Sequence, residues 1–297
     1  MERKGLSSDD NMLVTRGLTF TYSHAKKPAI KDINLEIDDG EFVLCLGPTG
    51  CGKTTICRCF NGLIPHFYKG EMRGYVKVNG LDTRFHPVYK LALNVGLVFQ
   101  NPEEQIVSLT VEKELAFGLE NLAFPREEML SRLNWVSNIL DLKGLMKKRT
   151  FFLSGGEQQK VVIGSVLALE PNILVLDEPT ANLDPQSAEA LARAVKKLND
   201  EGVTVILTEH RVELFVQYAT RVILMEEGKV LMDGKPREVL SSDEARRVGV
   251  FVKTIELYRK LKDAGLELPY PPLSLKEAYT LLKGALHDRG ERSVSQL

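Results

Sequence analysis

The sequence predicts an α/β fold with a mainly parallel core sheet, and two observations lead to this prediction. The first is a set of short apolar runs that alternate with segments of helical periodicity, at residues 42–46, 95–99, 173–176 and 203–207. Continuous apolar runs are typical of parallel strands that are buried on both faces. The second is the pair of strand-like segments at 13–22 and 29–37, which predicts a small antiparallel β region near the N-terminus.

The remaining predicted elements follow in order along the chain. They are helices at 52–61, 110–140, 153–169 and 187–199, a strand at 73–79 and a hairpin at 222–232, with helices alone from about residue 235. In the helix over 110–140, one apolar stripe is formed by Val111, Leu115, Leu119 and Leu122. Phe117 and Phe124 lie off that stripe, where they could belong to a crowded core or contact a partner.

Length and composition indicate a soluble globular protein. The chain has 297 residues, which suits one large or two small domains, and it is 43% hydrophobic and 27% charged. The net charge of −1 gives no electrostatic case for binding nucleic acid or an anionic membrane surface. No apolar run reaches the length of a membrane span and the N-terminus lacks an apolar signal core, so we expect a cytosolic protein that serves a membrane only through a partner.

A stretch of nine residues fits the Gly-x-x-x-x-Gly-Lys-Ser/Thr pattern of a P-loop, and it lies between a buried strand and a helix as that motif requires. A triphosphate needs many backbone N–H donors at close range, which glycines and a helix N-terminus provide. Lys53 can reach the β- and γ-phosphates, and the Thr54 hydroxyl can ligate Mg²⁺. The predicted nucleotide-binding residues are Gly47, Pro48, Thr49, Gly50, Cys51, Gly52, Lys53, Thr54 and Thr55.

Three acidic or basic side chains follow apolar strands. Asp177 and Glu178 come directly after the run at 173–176, and His210 comes after the run at 203–207. Ligands of α/β sheets bind at the carboxyl ends of strands. We therefore expect Asp177 to support a Mg²⁺ ion and Glu178 to polarise the attacking water. A strand that simply ends in charged residues is the alternative, and the upstream P-loop disfavours it.

The segment Ser154, Gly155, Gly156 and Glu157 opens a predicted helix. Ser-x-x-Glu is a capping box, which is sufficient to explain the first and last residues. Two adjacent glycines cost about 1 kcal/mol each relative to alanine in a helix, so a purely structural cap would not favour them. Bare backbone at a helix N-terminus is what close approach to phosphate requires.

The four cysteines, at 45, 51, 57 and 59, surround the P-loop. Their spacing does not match a zinc site, and disulfides are not expected in a reducing compartment. We predict buried thiols. Cys51 has an alternative interpretation as an oxidation-sensitive position in the nucleotide loop.

These motifs occur in the order found in ATP-binding-cassette (ABC) ATPases, and the chain resembles that family over about residues 12–234. The Leu-Ser-Gly-Gly-Glu signature separates the family from other P-loop proteins. The resemblance implies an ATPase with the P-loop ABC fold. It assigns Tyr22 to stacking on adenine, Gln100 to Mg²⁺, the water and a transmembrane partner, Asp184 to the D-loop, and His210 to the γ-phosphate.

Within the family, the segment at 99–105 and the Asn-Gly-Leu-Ile-Pro segment at 61–65 look like the ATPases of energy-coupling factor (ECF) transporters, which take up vitamins, cobalt or nickel. Lys160 stands where many relatives carry arginine. Gly164 stands where alanine is usual, and we expect it to loosen its helix.

The resemblance also implies partners and location. Two cassettes sandwich two ATP molecules, so a chain with one copy of each motif must pair with a second ABC subunit, a copy or a paralogue. Integral membrane subunits would place it peripherally on the cytoplasmic face of the membrane, with no nucleic acid bound. The expected domains are a nucleotide-binding domain at 1–234, with a helical subdomain at about 101–169, and a helical C-terminal region at 235–297 that could dimerise.

Other functions remain open at this point. An ABC ATPase of another transporter type is one alternative. A chromosome or DNA-repair ABC ATPase is another, although such proteins usually separate the two halves by a long coiled coil, and no sustained heptads lie between 55 and 154. A regulatory cassette without turnover is disfavoured by Glu178.

Overall fold

The computed structural model describes residues 12–294, with side chains described as far as Leu286. It confirms a mixed α/β fold built on two sheets. The strands are β1 (Leu13–Tyr22), β2 (Ile30–Ile37), β3 (Phe42–Leu46), β4 (Gly70–Val78), β5 (Leu81–Asp82), β6 (Val95–Val98), β7 (Ile173–Asp177), β8 (Thr204–Thr208), β9 (Arg221–Glu226) and β10 (Lys229–Gly234).

The larger sheet has the strand order β10-β9-β3-β8-β7-β6. Strands β9, β3, β8, β7 and β6 run parallel to one another, and β10 pairs antiparallel with β9 as the predicted hairpin. The smaller sheet, β2-β1-β4-β5, is antiparallel and supplies the predicted N-terminal β region. The carboxyl ends of β6, β7 and β8 are therefore neighbours, which decides where the site forms.

The central strands are mostly apolar because each face of the larger sheet meets a different core. In β3, Phe42, Leu44 and Leu46 pack into the cluster that contains most of the helices. Val43 and Cys45, from the same strand, pack into the second cluster with the antiparallel sheet and the helix after the P-loop. Burial on both faces disfavours polar side chains, and the buried polar residues of β7 and β8 lie at strand ends: Asp177, Thr204 and Thr208.

The helices are α1 (Lys53–Phe60), α2 (Leu63–His66), α3 (Val88–Leu91), α4 (Val111–Asn121), α5 (Arg126–Ile139), α6 (Gly155–Leu167), α7 (Pro185–Asp200), α8 (Val212–Phe215), α9 (Pro236–Leu240), α10 (Asp243–Arg247), α11 (Lys253–Asp263) and α12 (Leu275–Val294). In the described part of the chain, no helix is long and apolar enough to cross a membrane.

The single helix predicted over 110–140 is wrong, because the chain turns between α4 and α5. Ala123 has a φ of +55°. The Phe124 N–H donates to Leu119 O at 3.0 Å, and the Ala123 N–H to Glu120 O at 3.0 Å. This is a Schellman-type helix end, and Pro125 follows it, where a proline disfavours helix at the preceding residue.

The two phenylalanines of this region have different environments. Phe117 is exposed over 45% of its surface. Phe124 packs against the core at the helix break, and the Arg132 guanidinium lies 4.4 Å from the centre of its ring. Of the two alternatives, Phe124 takes the packed one and Phe117 the exposed one.

Gly164 has a packing role that its helix propensity does not indicate. A Cβ on this residue would lie 2.7 Å from Leu115 Cδ2 and 3.0 Å from Val136 Cγ1. The glycine therefore lets α4 and α5 approach α6 closely, rather than only loosening the helix.

The C-terminal helix is attached to the rest of the chain through Arg237. Its guanidinium donates to Glu277 Oε1 and to Pro271 O, and it lies 4.6 Å from the centre of the Tyr270 ring. Thr254 Oγ1 donates to Pro272 O at 2.6 Å. The proline-rich segment is thus held against α9 and α11 by polar contacts.

Candidate nucleotide site

The P-loop joins β3 to α1 through a backbone that glycine alone accommodates. Gly50 has a φ of +80° and Gly52 a φ of +109°. A Cβ on Gly47 would lie 2.2 Å from Met225 O, and one on Gly52 would lie 2.7 Å from Ala29 O. Both clashes would be with backbone atoms, which cannot move aside as a side chain can. Glycine is therefore required at 47 and 52 by the lack of space for a Cβ as well as by the positive φ.

Lys53 lies under this loop with only 4% of its surface exposed. Its ammonium donates to Gly47 O at 2.9 Å and to Pro48 O at 3.2 Å, and it is 4.0 Å from Glu178 Oε1. The Lys53 ammonium is therefore held between two carbonyl oxygens of the loop, which accept its hydrogen bonds, and the Glu178 carboxylate. Thr54 follows it on the helix and is half-buried.

Glu178 is the point at which the predicted polar residues meet. Oε1 of Glu178 lies 2.9 Å from His210 Nε2, and Oε2 accepts a hydrogen bond from Gln100 Nε2 at 3.1 Å. Gln100, Glu178 and His210 follow β6, β7 and β8, which are adjacent strands. The sheet order therefore brings together residues that are far apart in the sequence.

Asp177 ends β7 with 5% of its surface exposed and accepts a hydrogen bond from Thr208 Oγ1 at 2.7 Å. The described residues contain no group of three or more His, Cys, Asp or Glu side chains that could hold a metal ion by themselves. Mg²⁺ fits such a place, because it prefers oxygen donors and is usually held by one or two protein groups together with phosphates and water. Thr54 and Asp177 provide donors of that kind.

The signature forms a complete capping box at the start of α6. Glu157 N–H donates to Ser154 Oγ at 3.3 Å, and Ser154 N–H donates to Glu157 Oε2 at 2.8 Å. The hydrogen bond from the Ser154 backbone, followed by that from its hydroxyl and the charge of Lys148, outweighs burial and lowers the pKa of Glu157 below its ordinary value.

The two glycines of the signature differ. A Cβ on Gly156 would lie 2.8 Å from Ser187 Oγ on α7, so packing already excludes a side chain there. Gly155 is exposed, and a Cβ would meet nothing closer than 3.5 Å. Packing within the chain explains the glycine at 156 but not the glycine at 155. The expectation of a glycine that leaves room for phosphate therefore applies to Gly155 alone.

The signature does not meet the P-loop of its own chain. Ser154 and Glu157 line a cavity of about 450 Å³ whose other walls come from α6, α7 and the loop at 141–145, with no residue from 47–55. Asp184 caps α7 beside it, accepting from Ser187 N–H at 3.0 Å and from its hydroxyl at 2.5 Å. These bonds lower the pKa of Asp184.

Tyr22 lies at the edge of α1. Its hydroxyl is 3.2 Å from Thr55 Oγ1 and accepts from Arg58 Nη1 at 3.4 Å. The rings of Phe20 and Tyr68 stand nearly perpendicular to the Tyr22 ring, at 81° and 88°. The residue assigned to adenine is thus attached to the P-loop helix.

All four cysteines are buried. Burial raises the pKa of the Cys45 thiol to about 12 and also raises the pKa of Cys51. Because the thiolate is the reactive form, a raised pKa disfavours the interpretation of Cys51 as an oxidation-sensitive residue.

Two sets of contacts in this site were not predicted from the sequence. The first set is made by Thr208 and Glu209, which hydrogen-bond to the segments that contain Asp177, Glu178 and His210. Asn182 Nδ2 also donates to Asn101 Oδ1 at 3.2 Å, which links the segment after Glu178 to the Gln100 turn. The Thr-Glu pair directly before His210 was a visible signal for the first contact. Nothing local in the sequence signals the second.

Comparison with known proteins gives the family. A model of the ABC transporter family matches residues 30–181. A proposed ABC transporter ATP-binding protein of Pyrococcus abyssi is 43% identical over 262 residues, covering 86% of this chain and 92% of that protein. A proposed ABC transporter ATP-binding protein of Methanosarcina mazei is 45% identical over 238 residues, covering 80% of this chain but only 40% of that protein's length.

Solved structures agree. CbiO1 of Clostridium perfringens, part of the ABC transporter complex CbiONQ, superposes with a TM-score of 0.71 at 31% identity over 86% of this chain and 98% of that one. The cassette MJ0796, in a dimeric post-hydrolysis state bound to ADP and Pi, superposes with a TM-score of 0.65 at 30% identity over 76% of this chain and 99% of that one. This chain therefore belongs to the ABC transporter family, as an ATPase cassette that binds and hydrolyses ATP.

Proposed function

We propose that the chain is the ATP-hydrolysing subunit of an ECF-type importer of micronutrients, either vitamins or transition-metal ions. ATP binding would close a pair of cassettes and hydrolysis would reopen it. The observation that carries the hydrolytic part is the convergence of Lys53, Gln100 and His210 on the carboxylate of Glu178.

This proposal gives each side chain of the site a chemical role. The Glu178 carboxylate accepts the proton of the attacking water, while Gln100 and His210 orient that carboxylate and the water. Lys53 and the P-loop N–H groups bind the phosphates, and the Tyr22 ring stacks on the adenine. Thr54 and Asp177, with Gln100 nearby, would hold Mg²⁺, which supplies neutralisation of phosphate charge.

A second cassette would complete the site. Ser154 lines the cavity beside α7, and the exposed Gly155 lines the cleft beside the Gln100 turn. Neither space is lined by a residue of the P-loop of the same chain, which supports a P-loop supplied by a partner. The C-terminal region at 235–297 is a further candidate contact, since α12 exposes Leu275, Tyr279 and Leu286 over 81%, 67% and 60% of their surfaces. A pair of identical chains and a pair of paralogues both satisfy this proposal.

The Gln100 turn supports docking to a membrane subunit. Gln105 bridges the turn, since its Oε1 accepts from Phe99 N–H at 3.0 Å and its Nε2 donates to Leu97 O at 2.9 Å. A cleft of about 580 Å³ lies beside the turn and is lined by Gln100, Phe151 and Asn182 among others. Docking there would place the protein at the cytoplasmic face of the membrane.

The ECF assignment draws support from the likeness to CbiO1, which belongs to a CbiONQ complex. The experiment is to purify the tagged full chain from native membranes and identify its partners by mass spectrometry. An integral membrane subunit together with a small substrate-binding membrane protein supports the ECF type, and uptake of cobalt, nickel and vitamins by the reconstituted complex then separates the substrates. Membrane subunits of another architecture would leave only the general transport ATPase. Recovery with DNA or ribosomes would overturn the transport proposal.

A further inference from the structure

The end of β8 carries two polar residues whose side chains are directed at the catalytic segments rather than at solvent. Thr208 has no exposed surface and Glu209 has 3%. A buried carboxylate is unfavourable unless it is hydrogen-bonded, so its acceptors are expected to be occupied. The partners of both residues lie in the two segments that hold Glu178 and His210.

Thr208 connects β8 to the acidic pair. Its hydroxyl donates to Asp177 Oδ1 at 2.7 Å and accepts from Glu178 N–H at 3.0 Å. The Thr208 carbonyl also accepts from Glu178 N–H at 3.0 Å. One hydroxyl therefore fixes the Asp177 carboxylate and the Glu178 backbone at the same time.

This attachment acts where the backbone is strained. Glu178 has a φ of +48°, in the left-handed region that non-glycine residues rarely adopt. Such a conformation is unfavourable for a residue with a side chain and persists only where surrounding contacts hold it. The two bonds to Thr208 hold the Glu178 N–H in the conformation that directs its carboxylate at His210 and Gln100.

Glu209 does the equivalent for His210. Its Oε1 accepts from His210 N–H at 3.1 Å and from Arg211 N–H at 3.3 Å. Its Oε2 accepts from Thr180 N–H at 3.4 Å, two residues after Glu178. One buried carboxylate thus connects the backbone of the histidine segment to the turn that follows Glu178.

We propose that Thr208 and Glu209 are positioning residues that hold Glu178 and His210 in the arrangement required for ATP hydrolysis. Neither residue contacts the reacting groups directly. The inference rests on the roles proposed above for Glu178 and His210, so the test must separate a failure of those roles from a failure of the positioning.

The test compares Glu209→Ala, Glu209→Gln, His210→Ala and the double variant Glu209→Ala/His210→Ala in the purified full chain, with ATP turnover and ATP affinity measured on each. We expect Glu209→Ala to lower kcat by about 10- to 100-fold, as loss of an orienting contact does, with the Kd for ATP within about threefold of wild type. Glu209→Gln keeps one oxygen acceptor and should recover part of the loss. The double variant should be no slower than His210→Ala alone, because residues that act as one unit are not additive.

Glu114 is the matched control. It is also 3% exposed, and its Oε2 accepts from Val107 N–H at 3.0 Å and Ser108 N–H at 2.7 Å in a different loop. Glu114→Gln should leave basal kcat within about twofold, since it disturbs no group near the phosphates. An equal loss of kcat in Glu114→Gln would make the Glu209 effect a general result of disturbing a buried carboxylate, and would overturn the proposal.

The other outcomes are equally separable. Near wild-type turnover in His210→Ala would remove the role of His210, and with it the Glu209 part of the proposal. Lost turnover in His210→Ala with full turnover in Glu209→Gln and Glu209→Ala would overturn the positioning alone. Thr208→Ser, which keeps the hydroxyl, should retain turnover where Thr208→Val loses it; equal turnover of these two variants would overturn the Thr208 part. If Glu209→Ala does not fold, Glu209→Gln with the same double-variant comparison decides.

Discussion

The carboxylate of Glu178 lies with Oε1 2.9 Å from the Nε2 of His210. Its other oxygen accepts from Gln100 at 3.1 Å, and 16% of the Glu178 side chain is exposed. Both oxygens are thus oriented by side chains from the neighbouring strands, while the group remains reachable by water. A base for water needs this combination of fixed orientation and access.

Replacement of Glu178 by glutamine tests this assignment. We expect Glu178→Gln to retain ATP binding, because its shape and its contacts with Gln100 persist, and to lower hydrolysis by at least about 10²-fold, as expected for loss of a general base. Steady-state phosphate release and ATP titration on the same sample measure the two effects. Glu112→Gln, on the exposed face of α4, serves as the control. Near-normal turnover in Glu178→Gln would contradict the role.

The sequence predicted the residues of this cluster because strand ends are visible as apolar runs that stop at Gln100, Asp177 and Thr208. The sheet order then brings those ends together, and parallel pairing makes that outcome general. Contacts made by side chains to backbone atoms were not predictable in this way. The position of Glu209 directly before His210 is visible in the sequence, but only the fold places Thr180 N–H within reach of its carboxylate.

The break at Ala123 was missed for a related reason. Apolar periodicity continues through both α4 and α5, so pattern alone joins them, although Pro125 was a local signal against one helix. Gly164 is a second position at which a local pattern does not reveal the tertiary packing. Helix propensity counts it as a weak position, whereas the structure shows that its missing Cβ is what allows Leu115 to approach.

Gly164→Ala should therefore destabilise the protein. Alanine gains about 1 kcal/mol in helix propensity, but its Cβ would lie within 3.0 Å of Leu115 and Val136 in a packed core. Overpacking of a core costs about 1–3 kcal/mol, so we expect a net loss of about 1 kcal/mol in the free energy of unfolding.

Gly144→Ala supplies the control, because a Cβ on Gly144 would meet nothing within 4 Å. Because alanine lowers the conformational entropy of the unfolded chain, that variant should be as stable as wild type or up to about 1 kcal/mol more stable. Urea unfolding of both variants gives the comparison. A Gly164→Ala protein that is as stable as Gly144→Ala would show that the three helices can move apart without cost.

The buried thiols should make stability fall at alkaline pH. Cys45 has a folded pKa of about 12, above its ordinary value of 9.0, because it is buried. Above pH 9 the unfolded chain loses a proton that the folded chain keeps, so the stabilisation is complete below pH 9 and is lost as pH rises toward the folded pKa. Each such thiol contributes a slope of up to about 1.4 kcal/mol per pH unit.

Replacement of Cys45 by alanine tests whether this thiol causes the pH dependence of the free energy of unfolding. Urea unfolding at pH 8 and at pH 10 should show a smaller loss of stability in Cys45→Ala than in the wild-type chain, even though the variant starts from a lower value. Other groups that titrate in this range are common to both proteins and cancel in the difference. Identical pH slopes would mean that the thiol is not protected from ionisation in the folded protein.

The separation of the signature from the P-loop leads to the last prediction. If each site takes its P-loop from one chain and its signature from another, Lys53→Ala and Ser154→Arg should each abolish turnover, and a mixture of the two should regain part of it. In a mixed pair, one site receives both defects and the other receives none. With equal amounts and random pairing, half of the pairs are mixed and each mixed pair has one intact site. About a quarter of all sites are therefore intact, and turnover should reach about a quarter of the wild-type value.

The comparison that decides is between the mixture and each variant alone at the same total concentration, with ATP turnover measured after the subunits have exchanged. A site contained within one chain predicts no recovery, because every chain in the mixture then carries a defect in its own site. The mixture of Lys53→Ala with Glu178→Gln is the internal control. Lys53 and Glu178 lie 4.0 Å apart in the same chain, so they belong to the same half of a shared site. In a mixed pair one site then lacks Lys53 and the other lacks Glu178, so neither site is intact. Recovery with Ser154→Arg but not with Glu178→Gln is therefore the pattern that only a shared site produces.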